Sequence, residues 1–367
     1  MKKNFSKFLF CIISLAVTCV FASPDNHALF ENKNIVVLGG TGFLGRAITE
    51  KLLQYNPASI TIFSRDEVKH FNMSKLFGNN PKIKFIIGDI RDYQDVLYAT
   101  KHADVVFHVA ALKRIDILES NVEQSIKTNI LGSINVFNAC VENSVNRLVF
   151  ISTDKACSPI NIYGACKFAS EKIFTNYDPS KITTKFVVAR YGNVLESTGS
   201  AIPIFTEKIK NGDDIPLTDE RMTRFMITKD EAVALIFDAL RYGIGGEIFV
   251  TRMPAHKVTD LIEILKEAFH GNNTIKLIGL RPGEKLHEAL ISQAEMARTY
   301  EFAGRFIIRP SVINLYYKHQ TPPIYIREGK PVDVHILPEY SSDMAVVSKD
   351  EVAKLFLQWG VLEDYKK

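Results

Sequence analysis

Cysteine is scarce in this 367-residue chain, which has five cysteines and no C-x-x-C pair. Without such a pair, or a Cys/His cluster at zinc-ligand spacing, the sequence predicts no metal site. Cys11 and Cys19 lie in the first 22 residues, which leaves an odd set of three in the body (Cys140, Cys157 and Cys166). Unpaired thiols of this kind indicate a reducing compartment rather than an oxidising one.

The chain also lacks a dense basic stripe, an internal repeat and a low-complexity segment. Its formal net charge is +4, and several lysines lie in the first seven and the last two residues. Nucleic acid is therefore a poor candidate partner. The composition, 46% hydrophobic and 23% charged, is that of a globular protein with one large domain or two moderate ones.

One apolar run stands apart, from Phe8 to Phe21. Lysines precede it and Ala22 follows it, which is the pattern of a secretory signal peptide over residues 1–22. The run is shorter than the roughly 20 apolar residues that span a bilayer. A signal peptide, an uncleaved anchor and a chance extension all remain open, and any membrane contact is expected through residues 8–21 only.

Short apolar runs alternate with amphipathic stretches between residues 34 and 193. The runs predict buried strands, and they read NIVVLGG, SITIFS, KIKFIIGD, ADVVFHVAA, VNRLVFIST and TKFVVARYGN. The stretches between them predict helices over residues 43–55, 93–101, 122–142 and 162–176. This alternation is typical of an α/β fold, a doubly wound parallel sheet of the Rossmann type.

After Asn193 the rhythm loosens, with many prolines and shorter helices. This pattern predicts a smaller mixed region at the carboxyl edge of the sheet. The expected organisation is a leader at 1–22, a cofactor-binding Rossmann domain at 30–192, a mainly substrate-binding region at 193–342 interleaved with the Rossmann sheet, and a C-terminal helix and tail at 343–367.

The turn after the first strand is rich in glycine. Glycines there let the backbone approach a pyrophosphate, which sits at the helix N-terminus where amides and the helix dipole favour an anion. The alternative is a tight turn without a ligand. The expected cofactor-binding residues of this turn are Gly39, Thr41, Gly42, Phe43, Leu44 and Gly45.

The second strand ends in Ser64 and Arg65 rather than in the acidic residue that usually holds the ribose of NAD. Arg65 can bind a 2′-phosphate, so the sequence favours NADP as cofactor. The alternative is that Arg65 is an exposed loop cation. Other residues expected along the cofactor are Asp89 and Ile90 near the adenine, and Ala110, Ala111 and Lys113 after the fourth strand.

The segment STDKACSPINIYGACK, from Ser152 to Lys167, combines two sets of reactive groups. Tyr163 and Lys167 are four residues apart and project from one helix face. A nearby ammonium lowers the pKa of a phenol, normally about 10, so Tyr163 can act as the base for an alcohol proton. Asp154 and Lys155 precede this pair, and a plain alcohol dehydrogenase has no need of them.

The chain resembles the inverting UDP-N-acetylglucosamine 4,6-dehydratases, which are polysaccharide biosynthesis proteins of the extended short-chain dehydrogenase/reductase superfamily. The resemblance extends from about residue 34 to about 342. It rests on GGTGFLG, STDKACSPINIYGACK, ARYGNV, RMTRFMIT, GGEIFV, RPGEKLHE and EYSSD, in this order. It implies NADP-dependent dehydration of UDP-N-acetylglucosamine with inversion at C5, for pseudaminic acid-type, capsule or surface glycan synthesis.

The resemblance also implies roles for the reactive segment. Tyr163 would take the 4-hydroxyl proton, Asp154 would protonate the departing C6 hydroxyl, and Lys155 would remove the C5 proton. Thr153 belongs to the same catalytic set. An amine is a base only if its pKa falls, and Lys167 is the nearby cation expected to lower it. The alternative is a structural ion pair between Asp154 and Lys155.

Substrate contacts are implied in the same way. Asn129 would support the active-site helix, and Asn193 would touch the sugar or the nicotinamide. Four residues are expected near the nucleotide diphosphate, for which Arg and Lys are the usual partners: Arg224, Arg281, Glu284 and Lys285. Surface salt bridges are the alternative for each. The run ALKRIDILES departs from the family pattern, which leaves contacts to the acetamido group open.

Two other functions remain open. A UDP-sugar 4-epimerase or reductase needs no Asp154, and a non-catalytic nucleotide-binding interaction protein needs none of Asp154, Lys155, Tyr163 and Lys167. Their joint presence favours catalysis. Nucleotide sugars and NADP are cytosolic, so we expect a cytoplasmic homo-oligomer, at the inner membrane face if the leader contacts the bilayer. The alternative is export through residues 1–22.

Overall fold

The computed structural model describes residues 26–78, 80–195, 197, 200–312 and 321–363. The expected leader at 1–22, with its apolar run 8–21, lies outside the described residues, as do the last four residues of the expected tail. Within the described ranges, no helix is both long enough and apolar enough to cross a bilayer.

Strands and helices alternate along the described chain. The strands are β1 (Asn34–Leu38), β2 (Ser59–Ser64), β3 (Ile83–Ile87), β4 (Val105–His108), β5 (Arg147–Ile151), β6 (Lys185–Arg190), β7 (Asn193–Val194), β8 (Ile215–Leu217), β9 (Thr223–Ile227), β10 (Ile248–Thr251), β11 (Ala255–Lys257), β12 (Ile275–Leu277), β13 (Ala289–Ile291), β14 (Thr299–Phe302), β15 (Arg305–Ile308), β16 (Lys330–Pro331) and β17 (Tyr340–Ser341). The helices are α1 (His27–Phe30), α2 (Phe43–Leu52), α3 (Glu67–Phe77), α4 (Tyr93–Ala99), α5 (Ile115–Leu118), α6 (Val122–Ser125), α7 (Gly132–Glu142), α8 (Ile162–Thr175), α9 (Ala201–Asn211), α10 (Lys229–Tyr242), α11 (Val258–Phe269), α12 (Gln293–Met296), α13 (Ile324–Arg327) and α14 (Lys349–Trp359), with 3-10 turns at Leu53–Tyr55 and Asp154–Ala156.

A ten-stranded sheet forms the core of the molecule, in the order β16-β14-β15-β10-β6-β5-β4-β1-β2-β3. The strands from β3 to β10 in this order pair in parallel, and β15, β14 and β16 extend the sheet in antiparallel fashion. The predicted doubly wound parallel sheet is therefore confirmed. Strand order reverses between β1 and β4, and ligands bind at the carboxyl ends of the strands at such a switch point.

The chain after residue 193 contributes to two bodies. Strands β10, β14, β15 and β16 complete the main sheet, and the remaining strands form small two- and three-stranded sheets. A second apolar core lies between α9, α11 and α14 and includes Phe205, Leu261 and Phe356. This smaller mixed body faces the carboxyl ends of the central strands across a cleft, as the sequence predicts.

The helix predicted over 122–142 has an irregular centre. It comprises α6, a π-helical turn at Ile126–Leu131, and α7. The side chains of Ser133 and Ser170 both donate hydrogen bonds to the carbonyl oxygen of Asn129 in this turn, each at 2.7 Å. A hydrophobic period does not reveal a single wider turn, so sequence reasoning missed it. π-helical turns are often found at functional sites.

Candidate active site

A cleft of about 1290 Å³ opens between the main sheet and the smaller body. Nearly all of the predicted catalytic, cofactor-binding and substrate-binding residues line it. The exceptions are Gly45, Asp154 and Lys285, whose side chains are not part of the cleft lining. Segments predicted separately, from the glycine turn to the RPGEK loop, therefore meet at one site.

The glycine turn at the end of β1 is shaped by close backbone contacts. Gly39 has a φ of +83°, and a Cβ there would lie 2.6 Å from the Ala110 nitrogen. A Cβ on Gly45 would lie 2.5 Å from the Gly40 oxygen, so the turn and α2 need glycine for packing. Gly42 is less tightly packed than Gly39 and Gly45, since a Cβ there would meet only the Gly39 oxygen at 3.3 Å. It immediately precedes α2 and lines the cleft. The turn thus leaves room for a pyrophosphate at the helix N-terminus.

The end of β2 presents a hydroxyl and a cation to the cleft. The Ser64 hydroxyl hydrogen-bonds to Thr41 Oγ1 at 2.8 Å and to His70 Nε2 at 2.9 Å. The Arg65 side chain is about half exposed and lies 3.5 Å from the Asp89 carboxylate. Asp66 is the first acidic residue after β2, and its carboxylate caps α3 by accepting a hydrogen bond from the Lys69 amide at 3.0 Å.

Asn129 ties the loop after β4 to the catalytic helix. Its side-chain amide pairs with both backbone groups of Leu112, accepting from the nitrogen at 2.8 Å and donating to the oxygen at 2.9 Å. Ser170 of α8 binds the Asn129 carbonyl. The segment 110–113, which lines the cleft through Ala110, Ala111 and Lys113, is therefore fixed relative to α8. Burial lowers the pKa of Lys113 in this segment.

Tyr163 and Lys167 lie on α8, which Asn161 caps by accepting a hydrogen bond from the Gly164 amide. Lys167 Nζ donates to the Ile151 carbonyl at 2.7 Å, and burial lowers its pKa to about 7. Burial raises the pKa of Tyr163 to about 12, and the Lys155 ammonium opposes this rise. The cation that favours tyrosinate in this structure is thus Lys155, whereas the sequence pattern pointed to Lys167.

Asp154 is fully buried in the 3-10 turn that follows β5. Its Oδ1 accepts hydrogen bonds from the Thr153 hydroxyl at 2.9 Å and from Lys155 Nζ at 3.0 Å. Within the described residues its Oδ2 has no hydrogen-bond partner. A buried carboxylate with one free oxygen is costly, which is typical of a group with a chemical task.

A second carboxylate faces Lys155, and sequence reasoning gave it no role. Glu288 is 3% exposed, and its Oε1 lies 3.6 Å from Lys155 Nζ. Burial lowers the pKa of Lys155, but the charges of Asp154 and Glu288 outweigh burial and raise it. The expectation that a neighbouring Lys167 lowers the pKa of Lys155 is therefore not met. Glu288 ends the RPGEKLHE motif, which was the available signal.

The predicted diphosphate-binding residues divide into two kinds. The Arg224 guanidinium donates to the carbonyl oxygens of Thr223 and Lys285 and also to Leu286, so it holds the loop that carries the motif. Lys285 Nζ donates to the Cys157 carbonyl at 2.7 Å. Arg281 is exposed on the cleft wall, where its charge can meet a phosphate. Two further predicted residues, Asn193 and Glu284, also line the cleft.

A buried ionic network lies beneath the reactive segment. The Arg190 guanidinium binds both oxygens of Glu171 and both oxygens of Glu295, at 2.6–2.9 Å. Ser152 donates to Glu171 Oε1 at 2.5 Å, which ties the end of β5 to α8. The network fixes the strand end from which Thr153 and Asp154 follow.

Comparisons with known proteins show what this chain is similar to. A family model described as polysaccharide biosynthesis protein matches residues 35–310. A Campylobacter jejuni subsp. jejuni serotype O:2 protein named UDP-N-acetylglucosamine 4,6-dehydratase (inverting) is 44% identical over 77% of this chain and 85% of its own. A Rickettsia bellii protein named UDP-glucose 4-epimerase is 37% identical over 92% of this chain and 99% of its own. The X-ray structure of Pen from Bacillus thuringiensis superposes with a TM-score of 0.84 and 36% identity, covering 91% of this chain and 99% of that one.

Proposed function

This chain belongs to the polysaccharide biosynthesis protein family, and from that membership we propose that it is a UDP-N-acetylglucosamine 4,6-dehydratase that inverts C5. The product would be a UDP-4-keto-6-deoxy-L-arabino-hexosamine, a precursor for pseudaminic acid-type, capsule or other surface glycans. The observation that carries the proposal is that Lys155 and Tyr163 line one cleft, with Asp154 buried directly behind Lys155 and paired with its ammonium. Acid, amine and phenol together suit an elimination, whereas redox chemistry alone needs only the phenol.

A nicotinamide cofactor fits the glycine turn, and when bound it supplies reversible hydride transfer. Gly39, Gly42 and the first turn of α2 would hold its pyrophosphate. We propose NADP, because Ser64 at the end of β2 and the following Arg65 line the cleft, whereas the carboxylate of Asp66 caps α3. The partly exposed Arg65 guanidinium suits a 2′-phosphate.

Tyr163 acts first in the proposed reaction. It accepts the proton of the 4-hydroxyl, and the hydride of C4 would pass to a nicotinamide held at the glycine turn, so that a 4-ketone would remain. The ketone acidifies the hydrogen on C5. The Lys155 ammonium assists because it favours the tyrosinate over the neutral phenol.

Asp154 and Lys155 then remove water. Transfer of one proton from Lys155 to Asp154, across their 3.0 Å hydrogen bond, creates the amine and the carboxylic acid together. The amine takes the C5 proton, the C–H electrons form the C5–C6 double bond, and the C6 hydroxyl leaves as water with the Asp154 proton. The hydride would return to C6 from a bound nicotinamide, and a solvent proton delivered to the opposite face of C5 would complete a redox-neutral, inverting cycle.

A UDP-sugar 4-epimerase is the second candidate, because the Rickettsia bellii relative named UDP-glucose 4-epimerase aligns over 99% of its own length. An epimerase also uses a tyrosine base, but it retains the oxygen on C6 and does not exchange the C5 hydrogen. A non-catalytic nucleotide-binding protein would produce neither change. The reactive Asp154–Lys155 pair favours the dehydratase over both.

The test is the product formed from UDP-N-acetylglucosamine and NADP in deuterated water, followed by NMR and mass spectrometry. We expect loss of one water, a methyl group at C6 and deuterium at C5, and a rate lower by about 10²–10⁴-fold with Tyr163→Phe. A C4 epimer that keeps its C6 hydroxyl and its C5 hydrogen would identify an epimerase.

We propose a cytoplasmic site of action, since nucleotide sugars and NADP are cytosolic, with membrane contact confined to residues 8–21. A mature N-terminus at Ser23 in an exported fraction would contradict this. We also propose a homo-oligomer, because Ile134 of α7 and Phe168 of α8 are exposed apolar side chains. Light scattering of the purified chain measures the assembly.

A further inference from the structure

Three sequence motifs, RMTRFMIT, RPGEKLHE and EYSSD, meet around Glu288. Thr223 of RMTRFMIT donates its amide to the Leu286 carbonyl at 3.0 Å, and its hydroxyl lies 2.6 Å from that of Ser342 in EYSSD. Ser342 accepts a hydrogen bond from the Glu288 amide at 3.0 Å and donates its own amide to the Glu288 oxygen at 2.7 Å. Ser342, which is distant in the chain, thus holds both backbone groups of Glu288, and Thr223 in turn contacts Ser342.

The carboxylate of Glu288 is aimed at Lys155. Its Oε1 lies 3.6 Å from Lys155 Nζ, and its Oε2 lies 3.8 Å from Lys285 Nζ with no hydrogen-bond partner among the described residues. Asp154 contacts the same ammonium at 3.0 Å. Burying two carboxylates, each with an unpartnered oxygen, is unfavourable for folding. Such an arrangement suggests that the charge of Glu288 serves the site.

We propose that Glu288 is a positioning residue for Lys155, which holds the amine in the cleft and stabilises the positive charge that Lys155 acquires on taking the C5 proton. This inference rests on the proposed dehydratase reaction. When Asp154 carries the proton destined for the C6 hydroxyl, it is neutral. Glu288 is then the anion that faces Lys155 as the C5–H bond breaks and the N–H bond forms.

The charges around Lys155 determine the direction of the expected effect. Asp154 and Glu288 favour the ammonium, whereas burial and the Arg224 guanidinium oppose it. Glu288 itself faces Lys155 and Lys285. Replacing Glu288 by a neutral amide of the same shape leaves Asp154 alone against burial and Arg224. The pKa of Lys155 should fall by about 1–3 units, the usual effect of one adjacent charge.

The test uses the full chain with Glu288→Gln, the charge-retaining Glu288→Asp, and Glu301→Gln as a control. Glu301 lies on β14, pairs with Arg252 and is not part of the cleft lining. Acylation of Lys155 by a small reagent is followed against pH by peptide mass spectrometry, because the side chain is 19% exposed. This readout needs no turnover, and thermal unfolding checks that each variant is folded.

We expect Glu288→Gln to shift the acylation profile of Lys155 to lower pH by at least about one unit, with kcat reduced more than KM. The acylation profile of Glu288→Asp should lie between those of Glu288→Gln and wild type, and the profile of Glu301→Gln should match that of wild type. Identical profiles for wild type and a folded Glu288→Gln would overturn the inference. If the profile shifts but the wild-type enzyme does not dehydrate the substrate, the charge coupling between Glu288 and Lys155 is supported. The proposed dehydratase function is then contradicted.

Discussion

The ammonium of Lys155 lies 3.0 Å from Oδ1 of Asp154, its neighbour in the chain. In an extended strand, consecutive side chains point to opposite faces. The 3-10 turn after β5 brings these two together, and Thr153 caps it by accepting a hydrogen bond from the Lys155 amide. Adjacency in sequence thus becomes an acid–amine pair only through this turn.

Replacing Lys155 by methionine should separate the two halves of the reaction. The C5 proton loses its base, so deuterium incorporation at C5 should fall by about 10²–10⁴-fold, the usual contribution of a general base. Transfer of the C4 hydride should be reduced less, because Tyr163 remains. NMR of the sugar in deuterated water measures the first effect and cofactor absorbance the second. Lys354→Met, on an exposed face of α14, is the matched control. Undiminished C5 exchange in Lys155→Met would refute the role of Lys155 as base.

Sequence alone predicted most of the parallel sheet because its strands are buried on both faces and read as continuous apolar runs. β2 was predicted with its observed bounds, and α8 within one residue. The role of Glu288 was not predictable, because β9, the RPGEKLHE loop and the EYSSD segment are distant in sequence and meet only in the fold. The sequence-based expectation of a lowered pKa for Lys155 was wrong, because the charges of Asp154 and then of Glu288 outweigh burial.

Tyr163 should impose a pH dependence on hydride transfer. Burial raises its pKa to about 12, so the tyrosinate is a minor form at neutral pH. A base acts in its deprotonated form, and below the pKa this form increases tenfold with each pH unit. We expect the rate of cofactor reduction to rise from pH 7 to pH 9. Tyr163→Phe should abolish this rise and lower the rate by about 10²–10⁴-fold. The control Tyr98→Phe, at an exposed position, should have neither effect. A pH-independent rate in the wild-type enzyme would count against a tyrosine base.

Arg190 should dominate the acid stability of the fold. Burial raises the pKa of Glu295, but the Arg190 charge outweighs burial and lowers it to about 2, compared with 4.5 unperturbed. A carboxyl with a depressed folded pKa stabilises the protein above its unfolded pKa and loses that contribution as pH falls toward 2. The shift corresponds to about 3 kcal/mol of unfolding free energy.

Arg190→Met leaves two buried carboxylates without their cation, and we expect a loss of about 3–5 kcal/mol at pH 7 in urea unfolding. The deficit should shrink as pH falls toward 4 and the carboxylates take up protons. Arg221→Met removes an ion pair with Asp219 whose arginine is exposed, and it should change stability little. An equal effect of both substitutions would show that burial of the network does not matter.

Gly164 sets the distance between the two parts of the reactive segment. A Cβ at this position would lie 2.2 Å from the Lys155 carbonyl oxygen, so Gly164→Ala must move α8 away from the 3-10 turn. We expect a loss of about 1–3 kcal/mol in stability, typical of overpacking, and a fall in kcat at nearly constant cofactor affinity. Ala165→Ser, at the next and exposed position, is the control. Unchanged kcat in a folded Gly164→Ala enzyme would show that this spacing does not govern the reaction.

Arg65 should determine the choice of cofactor. If its guanidinium binds the 2′-phosphate, Arg65→Ala removes a charge-assisted contact of about 1.5–3 kcal/mol. The Kd for NADP, measured by calorimetry, should then rise about 10–100-fold, while the Kd for NAD changes little because NAD lacks that phosphate. Arg65→Lys should recover part of the affinity through its charge, and Arg327→Ala, on the exposed end of α13, should match wild type. An equal loss of affinity for NADP and NAD would show that Arg65 binds a part of the cofactor that both share. No loss of affinity for either cofactor would show that Arg65 is a loop cation paired with Asp89.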